Sequence, residues 1–92
     1  MAFVVVTLKI MPESPDTDLS AIESSSLQKI KKFSGNDNFK VEIEPVAFGL
    51  RALKIIFVMD EAKGTTEPLE KDISAISGVN SVDVVDVRRS IG

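Results

Sequence analysis

Any chemistry in this sequence has to come from carboxylates and amines, because the usual nucleophiles and metal ligands are missing. The chain contains no histidine and no cysteine. No imidazole or thiolate can therefore act as a base, a nucleophile or a metal ligand. Two acidic pairs remain, Glu42 with Glu44 and Asp83 with Asp86. Acidic side chains on strands usually belong to solvated surface, so we expect no catalytic residue and no metal site.

Cofactor binding is not indicated either. Iron–sulfur and copper carriers need cysteine ligands, which this chain lacks. A phosphate cradle needs a glycine-rich turn, whereas Gly64 is a single glycine in a predicted loop. We therefore expect no cofactor.

Two groups of basic residues could meet an anionic partner. Lys29, Lys31 and Lys32 lie near the predicted end of a helix. Cations there complement the helix dipole, so solubility and dipole stabilisation are the simpler interpretation. Arg88 and Arg89 follow the last predicted strand. Taken alone, they fit either a solubilising tail or a contact with a partner.

The stretch EPVAFGLRAL, residues 44–53, places an aromatic residue where a tight turn is predicted. Pro45 and Gly49 are turn residues, but Phe48 stands where Asn or Asp would ordinarily precede the glycine. Two interpretations stay open. Phe48 folds back onto the edge of the core, or it is an apolar wedge offered to a partner's pocket, as aromatic anchors are at many interfaces.

Six predicted elements position these residues. Their bounds are 3–11, 39–44, 50–59 and 79–87 for strands, and 18–33 and 65–78 for helices. Asp16 or Asp18 is expected to cap the first helix, and Thr65 or Thr66 the second. The alternation of the last strand slips between Val84 and Val85, which predicts either a bulge or a strand end whose two faces are both used. The final RRSIG is interpreted as a short tail.

The order strand, helix, strand, strand, helix, strand predicts a ferredoxin-like α+β sandwich, a four-stranded antiparallel sheet with both helices on one face. The expected core includes Leu8, Leu27, Ile30, Val41, Ile55 and Ile73. Phe39, Val41 and Ile43 should point towards the helices. The open face should carry Thr7, Lys9, Lys40, Glu42, Glu44 and Lys54. A base-stacking RNA module would instead need aromatic residues there, and Phe39 and Phe57 are predicted on the helix side.

Composition narrows the class further. The 92 residues suit one domain, and 43% hydrophobic residues can supply a core. A net charge of −3 argues against binding duplex nucleic acid. No stretch approaches the roughly 20 apolar residues that span a bilayer, and Ala2 to Val6 lacks the basic leader of a signal peptide. We expect a cytoplasmic protein without direct contact to nucleic acid or membrane.

Three stretches resemble one known family. KIMPESPDTDL, EPVAFGLRALKI and GVNSVDVVDVRR, in this order and spacing, resemble the archaeal elongation factor 1-beta family of guanine nucleotide exchange factors for elongation factor 1-alpha. The resemblance extends over essentially the whole chain, and PVAFGL is its most specific part. It implies a single exchange domain over residues 1–92 that is not an enzyme and that binds elongation factor 1-alpha in its GDP-bound and nucleotide-free states.

The resemblance also implies which residues bind the partner. Phe48, with Pro45 and Gly49 around it, corresponds to the family's aromatic contact with the GTPase domain. Arg89, beside Arg88, falls where the family has a lysine that reaches the magnesium site. Arginine for lysine is a departure from the family pattern. The competing hypothesis is a small-molecule-binding regulatory domain of the same fold, for which the sequence offers no glycine-rich turn or polar cluster.

Overall fold

The computed structural model describes residues 2–35 and 38–91 and has the predicted order of elements. These elements are β1 (Ala2–Pro12), α1 (Leu19–Ser34), β2 (Phe39–Pro45), β3 (Arg51–Asp60), α2 (Glu67–Ser74) and β4 (Val79–Ile91). The strands form one antiparallel sheet in the order β2-β3-β1-β4. The prediction of a ferredoxin-like α+β fold is confirmed.

The strand β1 lies at the centre of the sheet, between β3 and β4. Its alternate residues Val6, Leu8 and Ile10 are buried and face the helices. They lie beside Phe57, Ile55 and Leu53 of β3. The hydrophobic period of two in these strands therefore builds one apolar face for both helices to cover.

The predicted core is largely confirmed. Leu8, Ile30, Ile55 and Ile73 are fully buried. Leu27 and Val41 are partly buried and pack against the same cluster. Ile43 is the exception among the residues predicted to face inward, because it is 50% exposed. It lies on the edge strand β2 opposite Leu53, with no further strand of the described chain on its outer side.

The helix ends follow local hydrogen-bonding chemistry. Asp18 caps α1, because its Oδ1 accepts hydrogen bonds from the backbone N–H groups of Ser20 and Ala21 at 3.0 and 3.3 Å. At α2, Thr65 Oγ1 accepts from the Glu67 N–H at 3.1 Å. The predicted extension of α2 to Gly78 is wrong, since the helix ends at Ser74 and the following residues form turns.

The predicted bulge in β4 is confirmed. Thr7 of β1 lies opposite Asp86, whereas the next residue, Leu8, lies opposite Val84, so Val85 is the extra residue. The interpretation of RRSIG as a tail is wrong. Residues 88–91 continue β4 because β1 extends back to Ala2 and pairs with them in register.

The face of the sheet away from the helices carries charged side chains, as predicted. Glu44 Oε2 lies 3.9 Å from Lys9 Nζ and 3.7 Å from Lys54 Nζ, so one carboxylate joins three strands. Thr7 lies on this face as predicted, but in the middle of the face it is only 9% exposed. Phe3 also lies on this side, opposite Asp60, and is partly exposed.

Neither helix in the described residues has the length and apolar character that a membrane crossing requires.

One buried hydroxyl lowers the stability of this fold. Ser26 of α1 is fully buried, and within the described residues its Oγ has no hydrogen-bond partner. An unsatisfied buried polar group costs about 1–3 kcal/mol, and alanine also favours helix more than serine does. We predict that Ser26→Ala raises the free energy of unfolding by about 1 kcal/mol in urea titrations. Ser24→Ala, on the exposed side of α1, is the matched control and should gain only the smaller helix-propensity difference. A loss of stability in Ser26→Ala would contradict the assignment of an unpaired hydroxyl.

Candidate partner-binding site

The turn between β2 and β3 holds Phe48 in an unusual backbone conformation. Phe48 has φ 62° and ψ 31°, and Gly49 follows with φ 76°. The N–H of Leu50 donates to the carbonyl of Ala47 at 3.3 Å, which closes a four-residue turn. Two successive positive φ angles in a hairpin turn are the mark of type I′. The sequence therefore forms the expected tight hairpin, with phenylalanine in the position that favours asparagine.

The left-handed conformation costs an ordinary residue about 1–2 kcal/mol, and Phe48 gains no burial in return. Its side chain is 94% exposed. The interpretation of Phe48 as an aromatic folded onto the core edge is therefore wrong. A strained backbone that presents a large apolar side chain to solvent is typical of a functional contact.

A groove lies beside the hairpin on the helix side of the sheet. It has a volume of about 280 Å³ and is lined by Pro12, Pro15, Leu19, Ile43 and Arg51, among others. The exposed face of Ile43 opens into it. A Cβ placed on Gly49 would lie 4.0 Å from Pro15 Cβ, so the turn and the loop after β1 are neighbours.

The loop after β1 is held in place by its own hydrogen bonds and by Gly78. The N–H of Glu13 donates to the Gly78 carbonyl at 2.9 Å, and the N–H of Ser14 donates to Thr17 Oγ1 at 3.2 Å. Gly78 has φ 93°, and a Cβ there would meet Thr17 Cγ2 at 2.9 Å. Glycine is therefore required for this close approach. The groove beside Phe48 consequently has a rigid wall.

The two arginines lie in β4 and point to opposite sides of the sheet. Arg89 lies opposite Val4, on the helix side, and Arg88 lies opposite Val5, on the open side. Each has a carboxylate partner. Arg88 Nε is 3.0 Å from Asp86 Oδ2, and Arg89 Nη2 donates a hydrogen bond to Glu61 Oε1.

The predicted site residues fall into two groups at opposite ends of the sheet. Pro45, Phe48 and Gly49 lie at the end where β1 reaches Pro12, while Arg88 and Arg89 lie beside Val4 and Val5. Eight residues of β1 separate Val4 from Pro12, which corresponds to about 25 Å. The structure therefore brings together the three hairpin residues but not the hairpin and the arginines.

Two residues at these ends of the sheet, Glu61 and Ile43, have positions that the sequence does not predict. Glu61 meets Arg89 across 28 positions of the chain, and no local pattern marks that pair. Ile43 follows the alternation of an inward residue, but it is exposed on the edge strand of the sheet, and the sequence does not show which strand lies at the edge. Within residues 2–35 and 38–91 there is no group of three acidic side chains arranged to hold a metal ion.

The fold and its exposed hairpin define a ferredoxin-like α+β protein that presents an aromatic side chain to solvent. Comparison with known proteins gives the family. A model of the EF-1 guanine nucleotide exchange domain matches residues 5–89. The chain belongs to the family of EF-1 guanine nucleotide exchange domains.

Individual relatives match this chain over nearly their whole length and share one name with each other. Elongation factor 1-beta of Methanothermobacter thermautotrophicus is 45% identical over 89 residues, covering 97% of this chain and 98% of that protein. Elongation factor 1-beta of Methanosphaera stadtmanae is 43% identical, with 97% and 98% covered. That of Staphylothermus marinus is 41% identical, with the same coverage.

A solved structure supports the fold alone. The BlrP1 BLUF chain superposes with a TM-score of 0.56 at 16% identity. The match covers 98% of this chain and 56% of that one, so this chain spans just over half of its length.

The strain at Phe48 can be measured. We predict that Phe48→Asn raises the free energy of unfolding by about 1 kcal/mol, because asparagine tolerates positive φ far better than phenylalanine. Phe48→Ala should leave stability nearly unchanged, since alanine keeps the strain and the lost side chain is exposed. Urea unfolding of the three proteins gives the comparison. A destabilised Phe48→Asn protein would show that the aromatic ring supports the fold.

Proposed function

We propose that this protein promotes the release of GDP from elongation factor 1-alpha, so that GTP can bind during translation elongation. The observation that carries the proposal is the match of the exchange-domain family to residues 5–89. The name elongation factor 1-beta, shared by relatives that cover nearly all of this chain, points to the same partner. The competing hypothesis of a small-molecule-binding domain is not favoured by these comparisons.

The protein acts by differential binding rather than by covalent chemistry. GDP is held in a GTPase by magnesium and by contacts to its phosphates. A factor accelerates release only if it binds the loosened or nucleotide-free state better than the GDP-bound state. Such a factor is an exchange factor and not an enzyme, and it needs no catalytic side chain, metal or cofactor of its own. We place this activity in one domain without direct contact to nucleic acid or membrane.

Phe48 is the proposed anchor on the partner. It is held in a turn in which the N–H of Leu50 donates to the Ala47 carbonyl at 3.3 Å and the N–H of Val46 donates to the Leu50 carbonyl at 2.8 Å, with Pro45 and Gly49 nearby. Because the backbone of the turn is already fixed, binding has to order only the side chain of Phe48. An exposed, pre-positioned aromatic fits the role of an interface hot spot.

Arg89, assisted by Arg88, is the proposed cation at the other end. A guanidinium is planar, and it binds phosphate oxygens more readily than it replaces a compact hydrated metal ion. We therefore assign Arg89 to weakening the contacts of GDP and magnesium in the partner. A separation of about 25 Å along β1 means that Phe48 and Arg89 would contact different parts of the partner.

The direct test is stopped-flow release of a fluorescent GDP analogue from elongation factor 1-alpha. Added protein should accelerate release in proportion to its concentration until the partner is saturated. An unchanged release rate at saturating protein would refute the proposed function.

Removal of the Phe48 ring should lower the affinity for the partner. We predict that Phe48→Ala weakens binding to elongation factor 1-alpha by about 1–3 kcal/mol, the range for an interface aromatic. Isothermal titration of the nucleotide-free partner measures this directly, and urea unfolding of the same sample shows whether the fold is intact. Unchanged affinity in a stably folded variant would remove Phe48 from the interface.

Removal of the Arg89 guanidinium should slow the release of GDP. We predict that Arg89→Ala slows GDP release at saturating protein by about tenfold, or about 1.4 kcal/mol of barrier, while affinity changes little. Arg88→Ala should have a smaller effect, because its side chain lies on the opposite face. The measurement is the release rate across a magnesium titration. Equal rates for wild type and Arg89→Ala at every magnesium concentration would exclude this role.

A further inference from the structure

The arginine proposed to act on the nucleotide site is not a free cation in the isolated protein. Its guanidinium donates to Glu61, and the side chains of Arg89 and Glu61 are 65% and 44% exposed. The pair is therefore a surface ion pair in contact with solvent. Such pairs are weak, so a partner that competes for the guanidinium can open this one.

Local hydrogen bonds fix the backbone that carries Glu61. Glu61 begins a turn that directly follows β3. Asp60 Oδ1 accepts the N–H of Ala62 at 2.8 Å, and the Gly64 N–H donates to the Glu61 carbonyl at 3.2 Å. The backbone beneath the carboxylate is thus fixed at the end of the sheet.

The sheet order determines where Arg89 must extend to meet this carboxylate. Arg89 belongs to β4 and Glu61 follows β3, and β1 lies between these strands. Two strand spacings correspond to roughly 10 Å. Arg89, whose backbone lies opposite Val4, therefore extends across β1 towards the end of β3 to reach Glu61.

Arg89 cannot bind the phosphates of GDP while it stays paired with the carboxylate of Glu61. The phosphates of GDP are anionic, and a second negative charge beside the guanidinium would cancel its attraction. From this geometry we infer that Glu61 is a positioning residue that holds Arg89 in a resting position, and that the Arg89–Glu61 pair must open before Arg89 can act on the nucleotide of the partner. This inference rests on the proposed function and adds to it the residue that limits the active position of Arg89.

The test uses Glu61→Gln, which removes the charge and keeps the shape. GDP release from elongation factor 1-alpha at saturating protein should become about threefold faster, the factor expected from releasing a surface ion pair. The concentration of protein that gives half of the maximal rate should stay the same, because the pair opens after the partner is bound. In the Arg89→Ala background, Glu61→Gln should have no effect.

The second arginine supplies a matched control. Asp86→Asn breaks the 3.0 Å pair with Arg88 on the open face and changes the net charge by the same amount. Its effect on the release rate should be clearly smaller than that of Glu61→Gln. The ratio of rates between Glu61→Gln and wild type should also fall towards one as sodium chloride is raised, since salt screens the pair.

An independent measurement examines the resting position itself. In the free wild-type protein, ¹⁵N relaxation of the Arg89 Nε–H group should show restricted motion, and Glu61→Gln should make this group mobile. Equal mobility in both proteins would overturn the inference, as would a release rate that Glu61→Gln leaves unchanged or slows. Failure of wild-type protein to accelerate release at all would overturn the proposed function itself, and this inference with it.

Discussion

The pairing of β1 with a strand on each side is the constraint from which the rest of the structure follows. Because β3 and β4 both align on β1, its alternation of buried and exposed residues fixes which side of each strand meets the helices. Its length also fixes the distance between the hairpin and the arginines. A central strand buried on one face and paired on both edges is the least deformable part of such a sheet. The two proposed contact regions are therefore held at a constant separation.

The stability of this scaffold permits local strain at the hairpin. Phe48 in the left-handed region is unfavourable by an amount that is small beside the burial of a continuous core. The turn can keep this residue because the strands on both sides are in register up to Pro45 and Arg51. An exchange factor benefits from such a division, since a rigid sheet presents the contacts and the unfavourable residue lies where the partner can cover it.

The fold was predictable because the spacing of hydrophobic residues along each strand and helix determines which side faces the core. The alternation in β1 and β3, the cap at Asp18 and the phase slip at Val85 are all local signals, and the structure agrees with each. The errors arise where pairing with a distant strand determines the local conformation. Arg88 and Arg89 lack an apolar pattern, and only the continuation of β1 makes them part of a strand.

The site was predictable in part for the same reason. A glycine preceded by Phe48 marks a turn, but its left-handed geometry depends on a two-residue connection that no propensity specifies. Exposure of Ile43 depends on the edge position of β2, and the partner of Arg89 depends on the order of the strands. Long-range contacts of this kind have no counterpart in a short stretch of sequence.

The bulge at Val85 has a consequence for the evolution of chain length. Thr7 and Leu8 lie opposite Asp86 and Val84, so a chain without Val85 would pair regularly and keep every side chain of β4 on its present face. Gain or loss of a residue is therefore tolerated at this point of the strand. A deletion between Asp86 and Arg89 has the opposite result, because it moves Arg89 to the open face and turns Arg88 towards the helices. Insertions and deletions in β4 should therefore accumulate at the bulge and be selected against beyond it.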